Sequence, residues 1–61
     1  MWVTFLNVND GNIMWSSDVQ RIPNINEHVE LEGYGGRWRV TDVVTSYHTV
    51  SDDSYLIYVG G

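Results

Sequence analysis

Two histidines, His28 and His48, are the residues of this chain best suited to acid–base or metal chemistry. His28 falls among glutamates on the predicted outer face of a strand, and His48 falls near a strand end. A serine nucleophile needs a histidine base and an orienting acid within reach, and a zinc site needs three or four converging ligands. Neither histidine has such neighbours at a suitable spacing, so we predict no catalytic residue and no metal site.

The segment Ser51-Asp52-Asp53-Ser54 is the other group of oxygen-bearing side chains, and it is typical of a polar turn. A calcium loop would need more oxygen ligands at set spacing. The chain has no cysteine, so a disulfide and a thiolate metal site are both excluded. A small barrel leaves little room for a buried pocket, so we expect no cofactor and a protein that is not an enzyme.

Charge narrows the range of partners. The net charge is −5, from three arginines against eight aspartates and glutamates. Nucleic-acid binding depends on neutralising phosphates with Lys and Arg, so direct binding to nucleic acid is not expected. An acidic surface suits a basic protein partner, or serves only solubility. No apolar run approaches the ~20 residues of a membrane span and no leader segment is evident at Met1, so we expect a cytoplasmic protein without membrane contact.

The element that organises the chain is a hairpin predicted within Ile22–Val44. Residues His28–Glu32 alternate polar and apolar, as a half-buried strand does. Gly33–Gly36 supplies three glycines for a tight turn, and the return strand turns Trp38 and Val40 inward. The outward charges are expected to pair across this hairpin, Glu30 and Glu32 with Arg37 and Arg39.

The alternation slips after Val40, and a β-bulge near Thr41-Asp42 would return Val43 to the core and bend the strand. Strands are also predicted at Trp2–Val8 and Tyr55–Val59, and Ile13–Trp15 favours a further strand over one helical turn. Residues 1–61 are therefore expected to form one all-β domain, a small five-stranded antiparallel barrel.

A family resemblance refines this expectation. The residues that carry it are Ile22-Pro23, Asn26-Glu27, Val29, Leu31, a glycine turn, Trp38-Arg39-Val40 and Val43. This pattern resembles the small SH3-like β-barrels of bacteriophages and bacterial mobile elements. The resemblance covers about half of the chain and implies an SH3-like fold. Asn26 departs from it, since the family usually has glycine there, but asparagine tolerates the left-handed conformation. Some small acidic phage proteins inhibit host enzymes or defence complexes.

The first and last strands are apolar on both faces, and in such a barrel they are neighbours. A small monomer cannot bury both faces of both strands, so an exposed apolar patch is expected unless Ile13–Trp15 folds over it. Aromatic residues are favoured interface anchors, and acidic residues suit a basic partner. The predicted partner-binding residues are Trp2, Phe5, Trp15, Tyr34, Tyr47, Asp52, Asp53, Tyr55 and Tyr58.

The leading hypothesis is a non-catalytic protein-interaction module, a small acidic phage-type inhibitor that binds and blocks a host protein. A second hypothesis is a structural subunit of a symmetric homo-oligomer. A third is a small-molecule binder whose pocket forms between copies.

Overall fold

The computed structural model describes residues 1–49 and 54–61 of the chain, and their secondary structure consists of strands without helices. The predicted all-β fold with five strands is confirmed. No helix within the described ranges could therefore span a membrane. Of the predicted turn Ser51-Asp52-Asp53-Ser54, the first three residues lie outside the described residues, and Ser54 begins a strand. The strands are β1 (Trp2–Asn7), β2 (Ile13–Asp18), β3 (His28–Leu31), β4 (Tyr34–Ser46) and β5 (Ser54–Gly60).

The strands form one curled sheet, a half-barrel, in the order β2-β1-β5-β4-β3. β1 and β5 are neighbours, as expected, but they run parallel, from Trp2 beside Ser54 to Asn7 beside Val59. The prediction of a wholly antiparallel barrel is therefore wrong, and the sheet is mixed. The physical reason is that β5 lies between β1 and β4 and pairs antiparallel with β4. The last residue of β4, Ser46, pairs with Ser54, which also lies beside Trp2 at the start of β1, so β5 begins at that end and runs in the direction of β1. β2 and β3 are left as the two edges of the sheet.

The core lies on the inner face of this sheet. Along β1, the buried residues Val3 and Phe5 alternate with Trp2, Thr4 and Leu6, which are not buried. Because paired residues share a face, β5 contributes Ile57 beside Phe5. The buried apolar residues are Val3, Phe5, Leu31, Val40, Ile57 and Val59.

The predicted bulge in β4 is confirmed. Val40 pairs with Val59 and Asp42 with Tyr58, which leaves Thr41 as the extra residue. The Thr41 hydroxyl donates to the carbonyl of Tyr58 at 3.2 Å. The extra residue shifts the alternation by one position, and Val43 packs against the core as expected.

The turn of the β3–β4 hairpin is tighter than predicted. Leu31 pairs with Tyr34, so the turn consists of Glu32 and Gly33, and Gly33 has a φ of 87°. Residues 34–36 belong to β4. The prediction that the turn extends over Gly33–Gly36 is therefore wrong, except at Gly33. Asn26 has a φ of 74°, which agrees with its predicted tolerance of the left-handed conformation.

The segment Ile13–Trp15 extends the sheet instead of covering it. It lies in β2, which pairs with β1 along the edge, with Phe5 opposite Trp15. The two rings lie 5.8 Å apart at a tilt of 55°. The preference for a strand here is confirmed, and the possibility that this segment folds over the second face of β1 is not realised.

Candidate protein-binding surface

The outer face of the sheet carries a group of apolar side chains on four neighbouring strands. Along one row, Ile13 pairs with Leu6 and Leu6 with Tyr58. In the next row, Leu56 pairs with Val44. Residues paired across a sheet point to the same side, so these side chains lie next to one another. Trp2 lies on the same face of β1, beyond Thr4, where its strand partners are Ser54 and Asp18. We call the apolar residues of this face the outer patch; they are Trp2, Leu6, Ile13, Val44, Leu56 and Tyr58.

The outer patch is open to solvent in the described structure. Ile13 is 66% exposed, Trp2 50% and Val44 39%. Leu6, Leu56 and Tyr58 lie between these residues and are partly buried. The molecule has one sheet, whose inner face holds the core, so no second layer among the described strands packs against the patch.

Trp2 and Tyr58 are the two predicted partner-binding residues that lie in the outer patch. Phe5, Trp15 and Tyr55 lie on the opposite, inner face. Phe5 is 5% exposed, and Trp15 and Tyr55 are partly buried against the core. For Phe5 and Tyr55 this position follows from strand parity, because each is separated from the outward residues of its strand by an odd number of positions. Trp15 faces inward because it pairs with Phe5, and a register shift between Trp15 and Ile13 leaves Ile13 facing outward.

The remaining predicted residues lie elsewhere. Tyr34, at the start of β4, places its ring edge-on to Trp38, with centroids 6.3 Å apart and an interplanar angle of 89°. Tyr47 follows β4 and is 81% exposed. Asp52 and Asp53 lie outside the described residues. The seven predicted residues within the described ranges therefore do not form one surface.

Four residues of the outer patch were not predicted as partner-binding. Leu6 and Leu56 follow from parity once Trp2 and Tyr58 are taken as outward, because each lies an even number of positions away. The outward position of Ile13 depends on the pairing of β2 with β1, and that of Val44 depends on the bulge at Thr41. Neither residue has a local sequence signal that predicts this position.

A second surface feature lies between the two edge strands, where the half-barrel is open. It is a cleft of about 350 Å³, which we call the seam cleft. The buried side chains of Phe5 and Leu31 contribute to its lining. The other apolar residues that line it are Trp15, Val19, Pro23 and Val29.

The charged residues at the seam cleft are one ion pair and two further glutamates. Arg21 donates to both carboxylate oxygens of Glu27, and Glu27 also accepts from the backbone N–H of Asn24 at 3.1 Å. These bonds lower the pKa of Glu27 to about 2, and the bonds from Arg21 have the largest effect. Glu30 and Glu32 are exposed and line the same cleft.

The predicted cross-strand pairing of arginines with Glu30 and Glu32 is not formed. Arg39 lies opposite His28 and donates to the side-chain oxygen of Asn26 at 3.0 Å. Salt bridges in the described part of the chain join Arg21 to Glu27 and the Met1 ammonium to Asp18. The second of these lowers the pKa of Asp18, chiefly through its hydrogen bond from the ammonium group.

The histidines are both at the surface. His28 is exposed on β3, and the Nε2 atom of His48 lies 3.2 Å from the hydroxyl of Ser54. Across residues 1–49 and 54–61, no three His, Asp or Glu side chains lie close enough to hold a metal ion. The absence of catalysis stays a prediction, since a single surface histidine–serine bond neither establishes nor excludes it.

No protein family, curated protein or solved structure matches this chain significantly. The resemblance to phage SH3-like barrels therefore stays a prediction from the pattern within Ile22–Val44.

Proposed function

We propose that this protein is a non-catalytic interaction module that binds a protein partner through the outer patch. The observation that supports the proposal is the row of adjacent apolar side chains on the outer face of a single sheet. Contiguous exposed apolar surface on a small domain is a mark of an interaction site. Scattered single apolar residues would carry no such meaning.

The composition of the outer patch suits an interface. Trp2 and Tyr58 are of the residue types that most often anchor protein contacts, because they bury much area at low entropic cost. Burying one large apolar side chain there contributes ~1.5–3 kcal/mol through area alone. The neighbouring Leu6, Leu56 and Val44 would exclude water around these anchors.

The charge of the chain supports a basic partner. Its net charge is −5, and the rim of the outer patch includes Asp42, which lies opposite Tyr58. Asp18 lies opposite Trp2, but its carboxylate is paired with the Met1 ammonium. Complementary charge speeds association and disfavours acidic competitors. We therefore propose a basic protein rather than nucleic acid as the partner.

The narrower proposal is that the protein acts as a phage-type inhibitor in the host cytoplasm, where it blocks the protein that it binds. Its support is the resemblance of Ile22–Val44 to SH3-like phage proteins, together with the acidity of the chain. Self-association through the same outer patch is the competing proposal, and it predicts a defined oligomer in the absence of any partner.

Affinity capture from host lysate, with the captured proteins identified, tests the proposal. Tyr58→Glu and Val44→Glu each place a charge in the outer patch, whereas Gln20→Glu places the same charge at an exposed site outside it. We expect both patch variants to lose a partner that wild type and Gln20→Glu retain, with all four proteins folded by circular dichroism. Equal capture by every folded variant would contradict the proposal. Light scattering on the free protein separates self-association from partner binding.

A further inference from the structure

The open seam between β2 and β3 offers a binding site distinct from the outer patch. Each of these strands is an edge of the sheet, so along one side its backbone N–H and C=O groups have no strand partner in the described structure. A free edge of this kind pairs readily with an extended segment of another chain.

Of the two edges, β2 is the less protected. Natural edge strands avoid unwanted pairing by being short and by carrying charge. β3 has four residues, includes Glu30 and is followed by Glu32. β2 has six residues, and its segment Ile13–Ser17 is uncharged. An added strand would therefore pair with β2.

The seam cleft determines which side chains such a strand would carry toward the core. Phe5 and Trp15 of this cleft lie in register on β1 and β2, and Leu31 and Val29 belong to β3. Alternate residues of an added strand point to this side. Apolar side chains at those positions would fill the cleft and shield the aromatic rings from water.

The charge around the seam cleft determines which residues suit the intervening positions of the added strand. Glu30 and Glu32 are exposed where they line the cleft, and Arg21 is engaged by Glu27. A second depression of about 550 Å³ shares Glu30 and Glu32 with the seam cleft and is also lined by Arg37, which does not line the seam cleft. The seam cleft itself carries three glutamates and one arginine, so it is negative and complements lysine or arginine.

We propose that the free edge of β2 binds an extended segment of a basic protein by strand addition, with alternating apolar and basic residues. The apolar side chains of the segment occupy the seam cleft, and its basic side chains face Glu30 and Glu32. This surface is separate from the outer patch, so the two proposals can fail independently.

A synthetic peptide of alternating lysine and valine, blocked at both ends, is the probe. Titration followed by NMR should slow the exchange of β2 amide protons and shift the Trp15 and Val29 signals. The Glu30→Gln/Glu32→Gln double variant should bind about tenfold more weakly, as expected for two weakened charge contacts of roughly threefold each. Asp10→Asn removes the same charge in the turn before β2, outside the residues that line the seam cleft, keeps the oxygen that accepts from the Asn12 N–H, and should bind like wild type.

Two control peptides complete the test. The same peptide with N-methylated amides cannot donate hydrogen bonds to β2 and should not bind, and a glutamate–valine peptide should bind far more weakly. Undiminished binding of either control peptide, absence of binding by the lysine–valine peptide, or shifts confined to the outer patch would overturn the proposal. Concentration-dependent protection of β2 without peptide would assign this edge to a second copy and would also overturn it.

Discussion

The assignment of the two sheet faces can be tested by comparing alanine substitutions at two adjacent residues of β1. Phe5 is 5% exposed and packs against Trp15 in the core. Leu6 points outward into the patch, beside Tyr58 and Ile13. If the assignment is right, the inner residue carries the stability of the fold and the outer residue does not.

The expected magnitudes differ clearly. Removing a buried phenylalanine ring costs ~3–5 kcal/mol, whereas removing the partly exposed Leu6 side chain costs about 1 kcal/mol. A 61-residue domain has a free energy of unfolding of roughly 3–9 kcal/mol. Phe5→Ala should therefore lower the melting temperature by at least about 12 °C, or leave the chain unfolded.

The assay is a thermal melt followed by circular dichroism, with urea unfolding to obtain free energies. Leu6→Ala should keep a cooperative transition within about 8 °C of wild type. If Leu6→Ala proves as damaging as Phe5→Ala, or more so, then β1 faces the other way and the outer patch does not exist as described.

Three further predictions concern the hairpin and the loop that leads into it. Within the described ranges, Trp38 packs on the core and its buried indole N–H has no hydrogen-bond partner. In urea unfolding, Trp38→Ala should cost ~3–5 kcal/mol, and Trp38→Phe, which keeps an aromatic ring, should cost clearly less; equal costs would contradict this. Gly33→Ala should cost about 1 kcal/mol because Gly33 has a φ of 87°. Gly35→Ala adds a methyl group that meets no neighbouring atom, so this variant should melt near wild type. Similar melting temperatures for the two variants would place the turn elsewhere. Because the pKa of Glu27 is lowered from 4.5 to about 2, its contribution to stability is complete above pH 4.5 and is lost as pH falls toward 2. Arg21→Gln should reduce that loss and leave only the part due to the Asn24 backbone hydrogen bond; parallel pH profiles would show that the ion pair is not formed.

The local features of this fold were predictable because each has a cause in neighbouring residues. The slip in alternation after Val40 required an extra residue near Thr41, and the bulge lies there. Asn26 was expected to accept a left-handed backbone, and its φ is 74°. Alternation along His28–Glu32 identified the inward residues of β3.

The long-range arrangement was not predictable in the same way. The parallel pairing of β1 with β5 joins segments about fifty residues apart, and strand composition does not reveal strand direction. For the same reason, the residues of the outer patch could be predicted only in part. Strands that are apolar on both faces indicated that one face is exposed. Deciding whether Phe5 or Leu6 faces outward required the strand register, and placing Val44 on the outer face required the position of the bulge as well.

Footprinting of the complex determines whether the outer patch is the surface that becomes buried on binding. Side chains are labelled by hydroxyl radicals in the free protein and in the complex obtained by affinity capture or self-association. The outer patch predicts that Trp2 and Tyr58 are labelled in the free protein and protected in the complex, while Tyr47 is labelled in both. Equal labelling of Trp2 and Tyr58 in both states, with protection at Tyr34 or Tyr47 instead, would contradict the claim that the outer patch is the binding surface.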